Sequence, residues 1–197
     1  MSMRTVVLAE LAPVEAYTLL ATLVVPRPIA LVSSLGADGV ANLAPFSFFM
    51  LGGANPPSLV ISPTLSSKGI EKDTLRNIRE TGEYVINLVH REIAVGMNEA
   101  SAPLPPEESE WERAGLTPIP SAQVRPARVE ESSVQFECRL FQIVEHGQGP
   151  NAARYIIGEV LVAHVAENVV PPVARLGGKG YLDLADGSTF ELGRPNA

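Results

Sequence analysis

From Ile29 to Val165 the chain offers short runs of β-branched and aromatic residues, and turns separate most of them. Ile29 to Leu35, Val40 to Phe49, Ser58 to Ser62, Tyr84 to Val89, Gln123 to Arg128, Val134 to Glu145 and Arg154 to Val165 each read as a strand. Gly36-Ala37-Asp38-Gly39 supplies a two-glycine turn, so the first two runs form a hairpin. Asn55-Pro56-Pro57 and His146 to Asn151 are further turns. Strands joined this way, without a helix after each one, favour a mainly β, antiparallel barrel over a doubly wound sheet.

Helices fill the remainder. Val14 to Leu23 has apolar residues at helical spacing after Pro13, and Val25-Pro26-Arg27-Pro28 then forces an extended entry. Thr64 to Lys72 is a polar loop. Asp73 or Thr74 then reads as an N-cap, Leu75 and Ile78 share one helix face, and Gly82 falls where the helix should end. Arg91 to Pro120 is a mixed insertion with helical fragments at Glu92 to Asn98 and Glu107 to Ala114. The tail from Pro171 is glycine-rich and reads as irregular. The 197 residues suit one domain, with its core at about 22–184.

Charge and cysteine narrow the function. A net charge of -7 excludes a polyanion such as nucleic acid as the main partner, although one phosphate needs only a local cluster. Cys138 stands alone and His90, His146 and His164 are scattered, so neither a disulfide framework nor a metal site is expected. No stretch of 18 apolar residues and no signal peptide is evident, and the expected location is cytoplasmic, away from membranes.

Three places could bind a ligand. In Asn42-Leu43-Ala44-Pro45-Phe46-Ser47 a proline interrupts a convincing strand, which must bulge or run along an edge there. Backbone groups beside such a break, with the Asn42 amide and the Ser47 hydroxyl, could meet the polar rim of a heterocycle. On the residues alone, an edge strand with incidental polar side chains is the favoured reading. Lys68, Lys72, Arg76 and Arg79 gather four of fifteen basic residues around a helix start, equipment for a terminal phosphate or an ordinary solvated helix entry. Arg27, stiffened between two prolines, suits an anion or a plain surface role. No acid–base constellation accompanies them, so a cofactor would carry any reactivity.

The ordered set of motifs resembles the flavin reductase-like family. Pro26-Arg27-Pro28-Ile29-Ala30-Leu31-Val32-Ser33, Asn42 to Phe49 and Pro56-Pro57 are similar to its opening. Lys72-Asp73-Thr74-Leu75-Arg76-Asn77-Ile78 and Thr81 to Asn87 are similar to its next block, and Gly115-Leu116-Thr117, Glu137 to Leu140, Gly158-Glu159-Val160 and Ala174 to Gly178 with Tyr181 follow in order. The loop Thr64 to Glu71 departs from the pattern. The resemblance implies an FMN-binding split β-barrel with a few peripheral helices, working as a homodimer. It also implies that NADH or NADPH reduces flavin, for a partner oxygenase or for onward transfer. Asn42, Leu43, Ala44, Pro45, Phe46 and Ser47 would then line the isoalloxazine and ribityl chain. Lys72 and Thr74 would hold the phosphate, and Arg27 and Arg175 would add contacts. Hydride passing from nicotinamide C4 to flavin N5 would need stacking and charge stabilisation, with no catalytic side chain. A non-catalytic FMN carrier and a flavin-free binding barrel are the alternatives.

Overall fold

A computed structural model describes residues 1–196. Helix α1 (Pro13–Leu23) leads into β1 (Arg27–Pro28), β2 (Ala30–Leu35), β3 (Ala41–Phe46), β4 (Phe49–Ala54) and β5 (Pro57–Ile61). Then come α2 (Asp73–Thr81), β6 (Glu83–Leu88), α3 (Ala94–Glu99) and α4 (Glu110–Ala114). The short strands β7 (Pro118–Ile119) and β8 (Arg128–Val129) precede the long hairpin β9 (Val134–His146) and β10 (Ala153–Val165). β11 (Val173–Gly177), β12 (Gly180–Asp183) and β13 (Thr189–Glu191) complete the described chain.

The main sheet runs β3-β2-β6-β9-β10-β5-β4, antiparallel throughout. Laid flat, its edge strands would lie roughly 29 Å apart at the usual strand spacing. Yet β3 ends at Phe46 and β4 begins at Phe49, and that stretch of chain spans at most about 11 Å. The sheet must therefore curl until its edges meet at Ser47-Phe48. No ladder joins β3 to β4 among the described residues, so the barrel is split at that seam.

Both faces of β2 are covered, which explains its nearly continuous apolar run. Ala30 and Val32 join Ile61, Leu75, Ile78, Tyr84, Ile86 and Ile156 in one core, with α2 packed against it. Ile29 and Leu31 face the other way, to Met97, Trp111, Leu116, Val173 and Tyr181.

Four expectations need correction. Val40 to Phe49 is not one strand, because the chain leaves one sheet edge at Phe46 and joins the other at Phe49. Gln123 to Arg128 is not a strand either. The carboxylate of Glu137 accepts the N–H groups of Ala122 (2.7 Å), Gln123 (2.6 Å) and Val124 (3.3 Å), which takes them out of any ladder. The tail is not irregular: β11 pairs with β1, and β12 and β13 follow in a second sheet, β1-β11-β12-β13, that covers the outer core. Neither Asp73 nor Thr74 caps α2. Lys72 occupies that position without a side-chain bond, and Asp73 pairs with Arg76 at 2.7 Å.

Candidate functional site

The edge position of β3 accounts for Pro45. In the register with β2, Pro45 stands opposite Leu31, two residues from Leu43. The N–H of Leu43 points away from β2 and is accepted by Glu110 Oε2 at 2.9 Å. Residues two apart point the same way, so Pro45 lacks an N–H only where no strand needs one.

A cleft of about 290 Å³ opens beside this edge. Its lining includes Asn42, Ala44, Pro45, Phe46, Lys72 and Thr74, so six of the residues expected to bind a cofactor come together here. Asn42 Nδ2 donates to Thr74 Oγ1 at 2.9 Å, and no acceptor takes the hydroxyl proton of Thr74 among the described residues. Lys72 precedes the first turn of α2, where free N–H groups concentrate. Its ammonium has no carboxylate partner among the described residues and sits 5.2 Å from the centre of the Phe46 ring. Although Lys72 as a residue is exposed, crowding around its ammonium lowers the pKa by desolvation, and the charge of Arg194 adds to this. An unpaired cation, a free hydroxyl proton and a helix N-terminus together fit a phosphate.

The same cleft holds two acids. Burial raises the pKa of Glu110, the Leu43 N–H opposes the shift, and Asp73 nearby reinforces it. Glu110 was not legible as a site residue, because it lies in the proline-rich insertion far along the chain.

The other expected residues lie elsewhere. Leu43 turns its side chain into the outer core. Ser47 is at the seam, where its Oγ accepts from Arg27 Nε at 3.4 Å. Arg27 is only 8 % exposed, and its Nη1 donates to the carbonyls of Ala21 and, at 2.7 Å, Val24, closing the end of α1. Arg175 stands opposite Arg27 in the second sheet. Neither arginine lines the cleft.

Beyond the seam lies a groove of about 410 Å³, lined by Tyr17 and Leu20 of α1, Phe48, Ser62, Thr64 and Tyr155 among others. Ser62 is 8 % exposed, and its hydroxyl is buried with no partner. A buried unpaired hydroxyl is unfavourable unless a water or a ligand completes it. Nothing local in Ile61-Ser62-Pro63 signals this. The cleft and the groove lie on either side of Phe46-Ser47-Phe48. The cleft combines a cation, a hydroxyl and a helix N-terminus, while the groove is mainly apolar and holds the partnerless Ser62 hydroxyl.

Comparison with known proteins shows the family. The flavin reductase like domain matches residues 22–181. An uncharacterized protein of Halalkalibacterium halodurans is 40% identical over 193 residues, covering 92% of this chain and 91% of the relative. The crystal structure of nitrilotriacetate monooxygenase component B from Bacillus cereus is 36% identical with a TM-score of 0.89, covering 98% of this chain and all of that one. The 2-nitrobenzoate 2-nitroreductase of Pseudomonas fluorescens is 30% identical with a TM-score of 0.82, covering 96% of each chain. Mainly β, curled into a barrel split at the β3–β4 seam, and matched over residues 22–181, the chain belongs to the flavin reductase-like domain family.

Proposed function

We propose that this protein binds FMN and reduces it with NADH or NADPH, working as a homodimer that supplies reduced flavin to a partner oxygenase. The observation that carries the reading is the pairing of the Lys72–Thr74 cradle with the buried, partnerless Ser62 hydroxyl across the seam. Lys72, the Thr74 hydroxyl and the first turn of α2 hold the phosphate. The residues Ala44 to Ser47 run between the two ends, and Ser62 offers its proton to a ring heteroatom. Tyr17, Phe48 and Tyr155 shield the groove from water. When bound, FMN supplies the hydride acceptor. The chain contributes alignment and a low-dielectric wall.

The dimer is supported by α1, which buries none of its residues in its own chain. Val14, Tyr17, Leu20 and Leu23 stay exposed, as do Met50 and Leu51 on edge strand β4. A patch of this kind marks an interaction surface. Since α1 also walls the groove, a second copy would complete the site. The oxygenase partner is supported by likeness to the component B protein, which is named as part of a monooxygenase.

Purified protein titrated with FMN should quench flavin fluorescence and then oxidise NADH or NADPH with FMN as acceptor. Absence of FMN binding would sink the proposal. Binding without nicotinamide oxidation would leave a carrier. A second reading is favoured by the aromatic groove and the likeness to a nitroreductase: electrons pass from FMN to a small aromatic acceptor. Nicotinamide oxidation that requires an added nitrobenzoate would select it.

A further inference from the structure

Arg27 and Arg175 occupy directly opposed positions on β1 and β11. Like charges placed so are unfavourable. Neither guanidinium has a carboxylate within ion-pair distance among the described residues. Their donors are only partly spent. Arg175 Nη2 donates to the Gly178 carbonyl at 2.6 Å, while its Nη1 is buried without a partner. Arg27 uses Nη1 on the end of α1 and Nε on Ser47. Desolvation weakens its hold on the proton; Tyr17 opposes this, and Arg175 adds to it. The Arg175 guanidinium lies 4.4 Å from the centre of the Tyr181 ring, so aromatic faces and backbone carbonyls, but no carboxylate among the described residues, meet these two cations.

Their position suggests a use. The Arg27 guanidinium is 5.8 Å from the centre of the Phe48 ring, and Phe48 walls the groove that holds Ser62. The cleft beyond the seam carries the acids Asp73 and Glu110. With Arg27 against the groove wall and the two acids in the cleft, Coulomb's law favours negative charge at the groove end. A hydride delivered to flavin brings two electrons and one proton to N5, and the nicotinamide leaves as a cation. The product carries one negative charge over N1 and the C2 oxygen.

We propose that Arg27 and Arg175 act as a paired electrostatic device that favours reduced, anionic FMN over oxidised FMN, raising its reduction potential without setting its affinity. This rests on the FMN reading above, with the ring toward the groove and the phosphate at Lys72. Both are positioning residues: Arg27 acts across the Phe48 wall, and Arg175 acts from the facing position on β11.

The test compares wild type with Arg27→Gln, Arg175→Gln, Arg27→Lys and Arg175→Lys, each loaded with FMN. Fluorescence titration gives the affinity for oxidised FMN, and equilibration with reference dyes gives the midpoint potential. Wild type should lie above free FMN. Arg27→Gln should lower the preference for reduced over oxidised flavin about tenfold, about 30 mV for a two-electron couple. Arg175→Gln should lower it in the same direction, and the lysine variants should hold near wild type. Affinity for oxidised FMN should change little in the Arg175 variants, which leave the Arg27 bonds to Ser47 and to the end of α1 in place. If Arg27→Gln fails to fold, since Arg27 also closes α1, Arg175→Gln carries the test. An unmoved potential in Arg175→Gln, or an equal fall in the lysine variants, overturns the inference while FMN binding stands. Wild type that binds no FMN overturns the FMN reading and this inference together.

Discussion

If FMN binds as proposed, Lys72 is the residue whose loss should distinguish the phosphate from the rest of the flavin. Among the described residues its ammonium has no carboxylate partner, and it lies against the Phe46 ring. Lys72→Ala should weaken FMN by about 1.5–3 kcal/mol, the range for a charge-assisted hydrogen bond. Riboflavin, which lacks the phosphate, should lose much less, and equal losses by fluorescence titration would reduce Lys72 to a structural role. The helix start after Lys72 and the broken strand at Pro45 were legible as local patterns, whereas the phosphate role of Lys72 and Thr74 is what the family resemblance implies. Glu110 and Ser62 were not legible. The meaning of each depends on a partner brought close only by the fold, the Leu43 N–H for one and a missing donor or acceptor for the other.

Among the elements, the β9–β10 hairpin carries two tight constraints. A Cβ added at Gly158 would lie 1.9 Å from the hydroxyl oxygen of fully buried Tyr84 and 2.8 Å from Cζ. Gly158→Ala should therefore destabilise by about 1–3 kcal/mol in chemical denaturation, and adding Tyr84→Phe should restore part of it. Glu137 on β9 binds the 122–124 backbone and accepts from His164 Nε2 at 2.7 Å. Burial pushes its carboxyl pKa up, but the N–H bonds of Ala122 and Gln123 and the His164 contact outweigh that and leave it lowered. Its contribution to stability is thus present at neutral pH and lost as pH falls below the ordinary glutamate range through the depressed value. Glu137→Ala should cost about 3–5 kcal/mol at neutral pH, and the difference from wild type should shrink in acid. A deficit in thermal unfolding that stays constant with pH would contradict this. These partners explain which elements the sequence showed. The helices and long strands have their own periodicity. The 123–128 loop is set by a distant carboxylate, and the strands of the tail by β1 at the other end of the chain.

For the whole molecule, the exposed face of α1 and the edge of β4 make association the expected state. Leu23→Glu and Leu51→Glu alter residues exposed in the single chain, so they should leave its fold intact. Light scattering should show a dimer for wild type and a shift toward monomer for the double variant, with weaker FMN binding because α1 walls the groove. A wild-type monomer that binds FMN fully would refute a site completed by a second copy. The pairing of β1 with β11 carries a different consequence, in the order of assembly. The strands of the main barrel are all present once residue 165 has been made, but β1 gains its ladder partner only when β11 follows. Until then the outer core around Leu31, Met97 and Trp111 lacks Val173 and Tyr181. Ladders between strands so distant in the chain close slowly, and uncovered apolar surface invites aggregation. A nascent chain paused on the ribosome before β11 should be the form most in need of a chaperone, and the two arginines meet only as that vulnerable interval ends.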